Sequence, residues 1–214
     1  MGGELKEKVA QGVAWSMAEK IGSMLLAMAV RLVILRLLTR DILGFMSIPS
    51  AVVTVLLVIV DSGFSQSLVR HKGPSQSDYK SVFLFNIAVS ALLYALLVAA
   101  APFAARWYGM PEIARIAPVF FLLLPLNALC AVQNTIFIRQ FRFALLSKVT
   151  FLSSLAGGLA AIALALAGWG IWSLVTERVI AVGVRTALLW WLSDWRPCGK
   201  CGLKPLREMA PFGC

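Results

Sequence analysis

Four basic side chains interrupt stretches that are otherwise apolar enough to lie inside a membrane. Lys20 and Arg31 fall within the first long apolar stretch, and Arg178 and Arg185 fall within the last. A charge at bilayer depth costs at least roughly 2.5–3.5 kcal/mol on insertion scales, so such residues usually face a bundle interior or a watery cavity. These four residues are therefore the first candidates for ligand binding.

Helical geometry groups these side chains by face. Lys20 and Arg31 are eleven residues apart, which at 100° per residue is about 20° from three full turns. Arg178 and Arg185 are seven apart, again within about 20° of a full number of turns. Each pair is therefore expected to lie on one face of its helix.

Three acidic residues, Glu19, Asp61 and Glu177, lie in the same apolar stretches. Their depths predict two pairs, Lys20 with Asp61 and Arg31 with Glu177. Because the cations outnumber the acids, positive charge remains, and a wet cavity of that sign attracts anions. Arginine also binds phosphate in a bidentate manner. The alternative is that these groups form structural ion pairs or extend to the interface. The predicted substrate-binding set is Lys20, Arg31, Asp61, Glu177, Arg178 and Arg185.

The composition is that of an integral membrane protein. Hydrophobic residues make up 60% of the chain and charged residues 14%, whereas soluble domains are about half apolar and about a quarter charged. The net charge of +10 could suggest nucleic-acid binding. The basic residues are scattered between apolar stretches rather than gathered on one face, so we expect a bilayer and no nucleic acid as partner.

Six apolar windows are each long enough for a helix that crosses the bilayer core, which takes about 20 residues. They span about 13–38, 45–69, 82–105, 113–138, 143–167 and 171–192. Pro118 and Pro125 predict a kink in the fourth window. The chain is thus divided into an N-terminal segment (1–12), a lobe of six transmembrane helices (13–193), and a loop that leads into the beginning of a seventh helix (194–214).

The distribution of lysine and arginine predicts that the N-terminus is cytoplasmic. One side of the membrane receives 12 basic residues: Lys6, Lys8, Arg70, Lys72, Lys80, Arg139, Arg142, Lys148, Arg196, Lys200, Lys204 and Arg207. The other side receives 4: Arg36, Arg40, Arg106 and Arg115. The first set, which includes the N-terminal segment, is therefore expected to be cytoplasmic.

Cys198 and Cys201 form the one C-x-x-C pair, and His71 is the only histidine. A structural zinc site needs four ligands, so we expect two incidental thiols in a loop, with a redox or metal role as the alternative. No Ser-His-Asp or metal-binding set is evident, so neither a cofactor nor an enzymatic activity is expected.

Several short motifs resemble polysaccharide exporters, the O-antigen and exopolysaccharide flippases of the multidrug/oligosaccharidyl-lipid/polysaccharide superfamily. The segments that carry the resemblance are Leu5-Lys6-Glu7-Lys8, Gly12-Val13-Ala14-Trp15-Ser16, Arg36-Leu37-Leu38-Thr39, Asp61-Ser62-Gly63-Phe64-Ser65-Gln66-Ser67-Leu68-Val69-Arg70, Asp78-Tyr79, Phe85-Asn86, Gly168-Trp169-Gly170-Ile171-Trp172-Ser173-Leu174-Val175 and Pro211-Phe212-Gly213.

The resemblance implies an all-α, MATE-like fold with two six-helix lobes around a central cavity. It also implies a function, which is alternating-access export of an oligosaccharide on undecaprenyl pyrophosphate across the bacterial inner membrane. Because this chain supplies one lobe, we expect either a fragment of a longer protein or a second half as partner. A drug or metabolite antiporter of the same fold and a membrane enzyme of polysaccharide assembly are the alternatives.

Overall fold

The computed structural model describes residues 17, 20–22, 24–34, 36–37, 40–62, 76–107, 109, 111–193 and 195. Helices account for most of these residues, and no strand occurs among them. The first helix, α1, comprises the described residues between 17 and 37. It is followed by α2 (Arg40–Ser62), α3 (Gln76–Trp107), α4 (Glu112–Phe121), α5 (Leu123–Arg139), α6 (Phe143–Leu166) and α7 (Ile171–Leu192). The predicted all-α class is confirmed.

The helix bounds agree best with the prediction in the second half of the chain. α6 and α7 match the fifth and sixth apolar windows to within a residue, and Gly168 and Gly170 take positive φ values in the turn between them. The gap between the first two apolar windows is not wholly a break between helices, because Arg40 and Asp41 are helical. α3 likewise begins before its window, at Gln76. Polar residues can continue a helix beyond the hydrocarbon core, where hydropathy no longer marks it.

The fourth apolar window contains the predicted kink. It is divided at Leu122 into α4 and α5, with Pro118 inside α4 and Pro125 near the start of α5. Proline removes a helix hydrogen bond and obstructs the preceding turn. The Tyr94 hydroxyl of α3 donates a hydrogen bond to the Pro118 carbonyl over 3.2 Å. The kink is therefore held from a neighbouring helix.

Three stretches of the described chain are long and apolar enough to cross a membrane: Tyr79–Trp107, Glu112–Arg139 and Phe143–Leu166. A shorter apolar stretch, Met46–Val58, lies within α2. α7 is of spanning length but carries Glu177, Arg178 and Arg185. The protein is thus an all-α membrane protein. That it crosses the membrane six times remains a prediction.

Two adjacent glycines set the packing of α6 between its neighbours. A Cβ on Gly157 would lie 2.5 Å from the Glu177 carbonyl oxygen and 2.9 Å from the Ala181 Cβ of α7. A Cβ on Gly158 would lie 2.7 Å from a methyl group of Val30 in α1. Small residues allow helix backbones to approach this closely in membranes. Gly157 and Gly158 therefore allow α6 to pack closely on both α7 and α1.

Candidate functional site

A cleft of about 720 Å³ lies between α1, α6 and α7. Its charged lining residues are Arg31 from α1 and Glu177, Arg178 and Arg185 from α7. α6 contributes the hydroxyl side chains Thr150, Ser153 and Ser154. Apolar residues, among them Met24, Met28 and Val182, complete the lining. The cleft therefore combines a cluster of charges with hydroxyl groups at a position where three helices meet.

The glycine contacts of α6 explain why Arg31 and Glu177 share this cleft. Val30, next to Arg31, packs on Gly158, while the Glu177 backbone packs on Gly157. Because Gly157 and Gly158 are adjacent, the segment of α1 that carries Arg31 and the segment of α7 that carries Glu177 lie at the same height along α6. The Glu177 carboxylate interacts electrostatically with the guanidinium groups of Arg178 and Arg31. This agrees with the depth relation predicted for Arg31 and Glu177.

The electrostatic balance of the cleft is positive. Three guanidinium groups face one carboxylate among the described lining residues. Arg31 and Arg178 are exposed on the described lobe, and Arg185 is partly exposed. Since guanidinium groups at membrane depth are too costly to leave in hydrocarbon, water, an anion or another protein surface must cover them. The arrangement is suited to binding an anionic group in a wet cavity.

Arg185 is held from outside the cleft by a residue of α5. Its Nη2 donates a hydrogen bond to Asn134 Oδ1 over 3.2 Å. Its Nε is buried and has no hydrogen-bond partner within the described part of the chain. A buried unpaired donor is costly, and this one becomes available to an acceptor oxygen only if the Arg185 side chain shifts. Asn134 thereby fixes one side of the guanidinium and leaves donors for a ligand.

Four of the six predicted site residues come together, namely Arg31, Glu177, Arg178 and Arg185. Lys20 is exposed on α1 and is not among the residues that line the cleft, because eleven helical residues place it roughly 16 Å from Arg31 along the axis. Asp61 lies in the last turn of α2, but its side chain is outside the described part of the structure. The Lys20–Asp61 pair therefore stays a prediction, and so does substrate binding by all six. Cys198 and Cys201 also lie outside the described residues.

Residues that sequence analysis did not assign to the site also contribute to it. Asn134 is one of several uncharged polar residues in the apolar windows. No feature of the neighbouring sequence shows that Asn134 is the residue that contacts Arg185. Ser153 and Ser154 precede Gly157 and Gly158 by one helical turn each. That spacing could have indicated that the serines share the faces on which the glycines pack.

The fold and the cleft define an integral membrane protein with a charged interhelical cavity. The family profile described as "Polysaccharide biosynthesis protein" matches residues 33–214, which is most of the chain. The chain belongs to this family, in agreement with the resemblance seen in its motifs. The MATE-like detail of that resemblance stays a prediction.

Two characterised relatives are similar to this chain. The "Succinoglycan biosynthesis transport protein ExoT" of Rhizobium meliloti (strain 1021) is 29% identical over 190 residues, covering 88% of this chain and 38% of the relative. The "Teichuronic acid biosynthesis protein TuaB" of Bacillus subtilis (strain 168) is 25% identical over 162 residues, covering 73% of this chain and 33% of the relative. The chain thus spans between a third and two fifths of the length of these relatives. No solved structure matches it.

Proposed function

We propose that this chain forms one lobe of a transporter that exports a lipid-linked oligosaccharide across the bacterial inner membrane, with its N-terminus in the cytoplasm. The observation that carries the proposal is the convergence of Arg31, Arg178 and Arg185 in one cleft. Family membership supports a role in polysaccharide biosynthesis, and one relative is named as a transport protein. In this proposal the cleft receives the anionic part of the substrate.

The chemistry of the cleft fits a phosphate-bearing glycan. Guanidinium groups donate paired hydrogen bonds to phosphate oxygens, and three of them line the cleft. Thr150, Ser153 and Ser154 provide hydroxyl oxygens on the opposite helix, which suit sugar hydroxyls. An undecaprenyl-pyrophosphate-linked glycan carries both kinds of group. Its polyprenyl chain would remain in the surrounding lipid.

A second lobe is part of the proposal. Arg31 and Arg178 lie on the exposed surface of the described lobe, where lipid contact would be costly. A second lobe, from the remainder of a longer chain or from another subunit, would enclose the cleft. Alternating opening of the two lobes to either side would then carry the substrate head group across without exposing it to hydrocarbon.

The test is a triple variant of the full-length protein, Arg31→Gln with Arg178→Gln and Arg185→Gln. Each lost charge-assisted hydrogen bond is worth about 1.5–3 kcal/mol, which corresponds to roughly ten- to hundredfold weaker binding. We expect exported polysaccharide to fall sharply and its lipid-linked precursor to accumulate. The matched control is Arg106→Gln with Arg115→Gln, which removes exposed charges elsewhere. Undiminished export by the stably expressed triple variant would refute the proposal.

If the protein were instead a drug or metabolite antiporter, the same cleft would have to bind a cation. An organic cation needs acidic partners, and Glu177 is the one carboxylate among the described lining residues, facing three arginines. The Glu177→Gln variant separates the two functions. It should abolish transport of cationic dyes if the protein is such an antiporter, but it should leave polysaccharide export largely intact if the cleft binds anions.

A further inference from the structure

A second cavity, of about 310 Å³, lies at the end of the bundle where α5 and α7 end and α6 begins. It shares no lining residue with the arginine cleft. The end of α5 contributes Ile136, Phe137 and Gln140, and the residue before α6 is Arg142. The end of α7 and the residues after it contribute Leu192, Ser193 and Trp195, and α3 contributes Tyr79. We call it the α5–α6 loop pocket.

Aromatic rings form a rigid wall of this pocket. Trp195 packs against Tyr79 with ring centroids 6.3 Å apart and against Phe83 at 5.7 Å. Trp195, Ser193 and Phe137 are buried, so these residues form a floor with little freedom to move. Tilted and edge-to-face ring pairs at such distances are favourable. The pocket is therefore preformed rather than created by a ligand.

Arg142 provides the positive charge of the pocket. Its Cζ lies 5.8 Å from the centroid of the Phe137 ring, a cation–π distance, and the residue is otherwise exposed. Gln140 is also exposed at the rim. An anionic group is the ligand that this rim favours.

The loop beside Arg142 carries two exposed aromatic side chains. Phe141 has a φ of 56°, which is uncommon for a bulky residue. It is 81% exposed, Phe143 is 46% exposed, and their rings lie 6.1 Å apart. Two exposed phenylalanine rings next to a cation, at the end of spanning helices, can enter the apolar side of the headgroup layer while the cation stays in water. We therefore expect the lip of the pocket to lie at the level of the lipid headgroups.

We propose that the α5–α6 loop pocket binds the phosphate headgroup of an anionic phospholipid. Arg142 pairs with the phosphate, Gln140 and the Tyr79 hydroxyl contact its oxygens or the glycerol, and the acyl chains pass over Phe141 and Phe143. Basic pockets between helices at the cytoplasmic side of a membrane are a known setting for such headgroups. The positive-inside distribution predicts that this end of the bundle is the cytoplasmic one.

Native mass spectrometry of the purified full-length protein tests this proposal, with phosphatidylglycerol and phosphatidylcholine added in turn. We expect retention of phosphatidylglycerol to exceed that of phosphatidylcholine. One basic residue near the membrane surface is worth about 1 kcal/mol, so Arg142→Gln should weaken phosphatidylglycerol retention about fivefold. Arg142→Lys should keep part of the preference. Arg115→Gln, which removes an exposed charge outside the pocket, should change nothing.

Two outcomes would overturn the lipid assignment. One is an Arg142→Gln variant, folded as judged by its thermal unfolding, that keeps the full phosphatidylglycerol preference. The other is retention of a soluble sugar phosphate without any preference for phosphatidylglycerol, which would assign the pocket to the glycan. The arginine-cleft triple variant should retain phosphatidylglycerol normally, so failure of this proposal and failure of the transport proposal are distinguishable.

Discussion

At the scale of the residue, the contact between Arg185 and Asn134 links the cleft to the interior of the lobe. Asn134 Oδ1 accepts a hydrogen bond from Nη2, whereas Nε has no partner within the described residues. An amide acceptor orients the guanidinium without neutralising it. Arg185 is therefore positioned for binding and is not one half of a structural ion pair with Asn134. A substitution at Asn134 can test this difference.

Replacing Asn134 with aspartate should separate stability from transport. The carboxylate would keep the hydrogen bond and add the attraction between opposite charges, which is stronger inside the protein than in bulk water. Thermal unfolding of Asn134→Asp should therefore occur at the same or a higher temperature than in the parent. Polysaccharide export should nevertheless fall, because Arg185 would be neutralised by an internal anion.

The comparison variant is Asn127→Asp on the same helix, where Asn127 Nδ2 donates to the Leu123 carbonyl within α5. An ionised aspartate cannot donate that hydrogen bond, so this variant should be less stable than the parent, whereas Asn134→Asp should not. A stable Asn134→Asp variant with normal export would mean that the charge of Arg185 has no role in binding. A variant that loses both stability and export would instead point to a packing role for Asn134.

At the scale of the element, the position of α6 decides whether the cleft exists. Gly157 faces α7 and Gly158 faces α1, so one pair of small residues sets two helix contacts. The hydroxyl residues one turn earlier are carried to the same cleft by the same placement. The geometry of the site therefore depends on backbone distances as much as on its charged groups.

Gly157→Ala should be destabilising by about 1–3 kcal/mol, the usual cost of overpacking, because its Cβ would meet the Glu177 carbonyl and Ala181. Gly183→Ala in α7 is the control, since a Cβ there meets nothing within 4 Å. It should be neutral or stabilising, because alanine is favoured over glycine in a helix by about 0.5–1 kcal/mol. Chemical or thermal unfolding in detergent would compare the two. Equal effects would argue against close packing of α6 on α7.

Gly158 offers a compensating pair with Val30. Gly158→Ala should separate α6 from α1, since its Cβ would lie 2.7 Å from a Val30 methyl group. Val30→Ala removes that methyl group, so the double variant should recover most of the stability lost in Gly158→Ala. The measurement is a double-mutant cycle of unfolding free energies. Strictly additive losses would show that the two residues do not meet.

At the scale of the whole molecule, the lobe presents two kinds of surface. Large apolar side chains such as Leu92 and Leu96 of α3 are exposed and suited to lipid. The face between α1, α6 and α7 instead exposes arginines. Within one bilayer, these faces must meet different surroundings, which is why the arginine face is proposed to border water and a second lobe.

Cysteine accessibility should distinguish the two surfaces in the full-length protein. Ser154 lines the cleft, whereas Leu152 is exposed elsewhere on α6 at nearly the same depth and roughly 200° away around the helix. Both positions are tested in a parent with Cys198, Cys201 and Cys214 replaced by serine. Ser154→Cys should react with a membrane-impermeant maleimide on the order of tenfold faster than Leu152→Cys, because the reactive thiolate forms only where water reaches the thiol. Comparable slow labelling at both positions would contradict a wet cleft.

The sequence alone determined the all-α membrane character, the kink at Pro118 and Pro125, and the shared face of Arg178 and Arg185. These follow from hydropathy and helical period, which are local because each helix satisfies its backbone hydrogen bonds within its own segment. The same locality allows a short segment such as Gly168-Trp169-Gly170, in the turn between α6 and α7, to carry part of the family resemblance. It also explains the errors at Arg40 and Gln76, where a helix continues beyond the hydrocarbon.

Only the tertiary structure decided which helices meet. Arg31 reaches the cleft because Val30 packs on a glycine more than a hundred residues away, and Asn134 holds Arg185 across two helices. Lys20 has the same charge as Arg31 and lies on the same face of α1, yet it lies outside the cleft lining. Likewise, Trp195 forms a pocket wall, although its sequence suggests only an interfacial anchor. Such pairings depend on side-chain shape between distant segments, which no local pattern records.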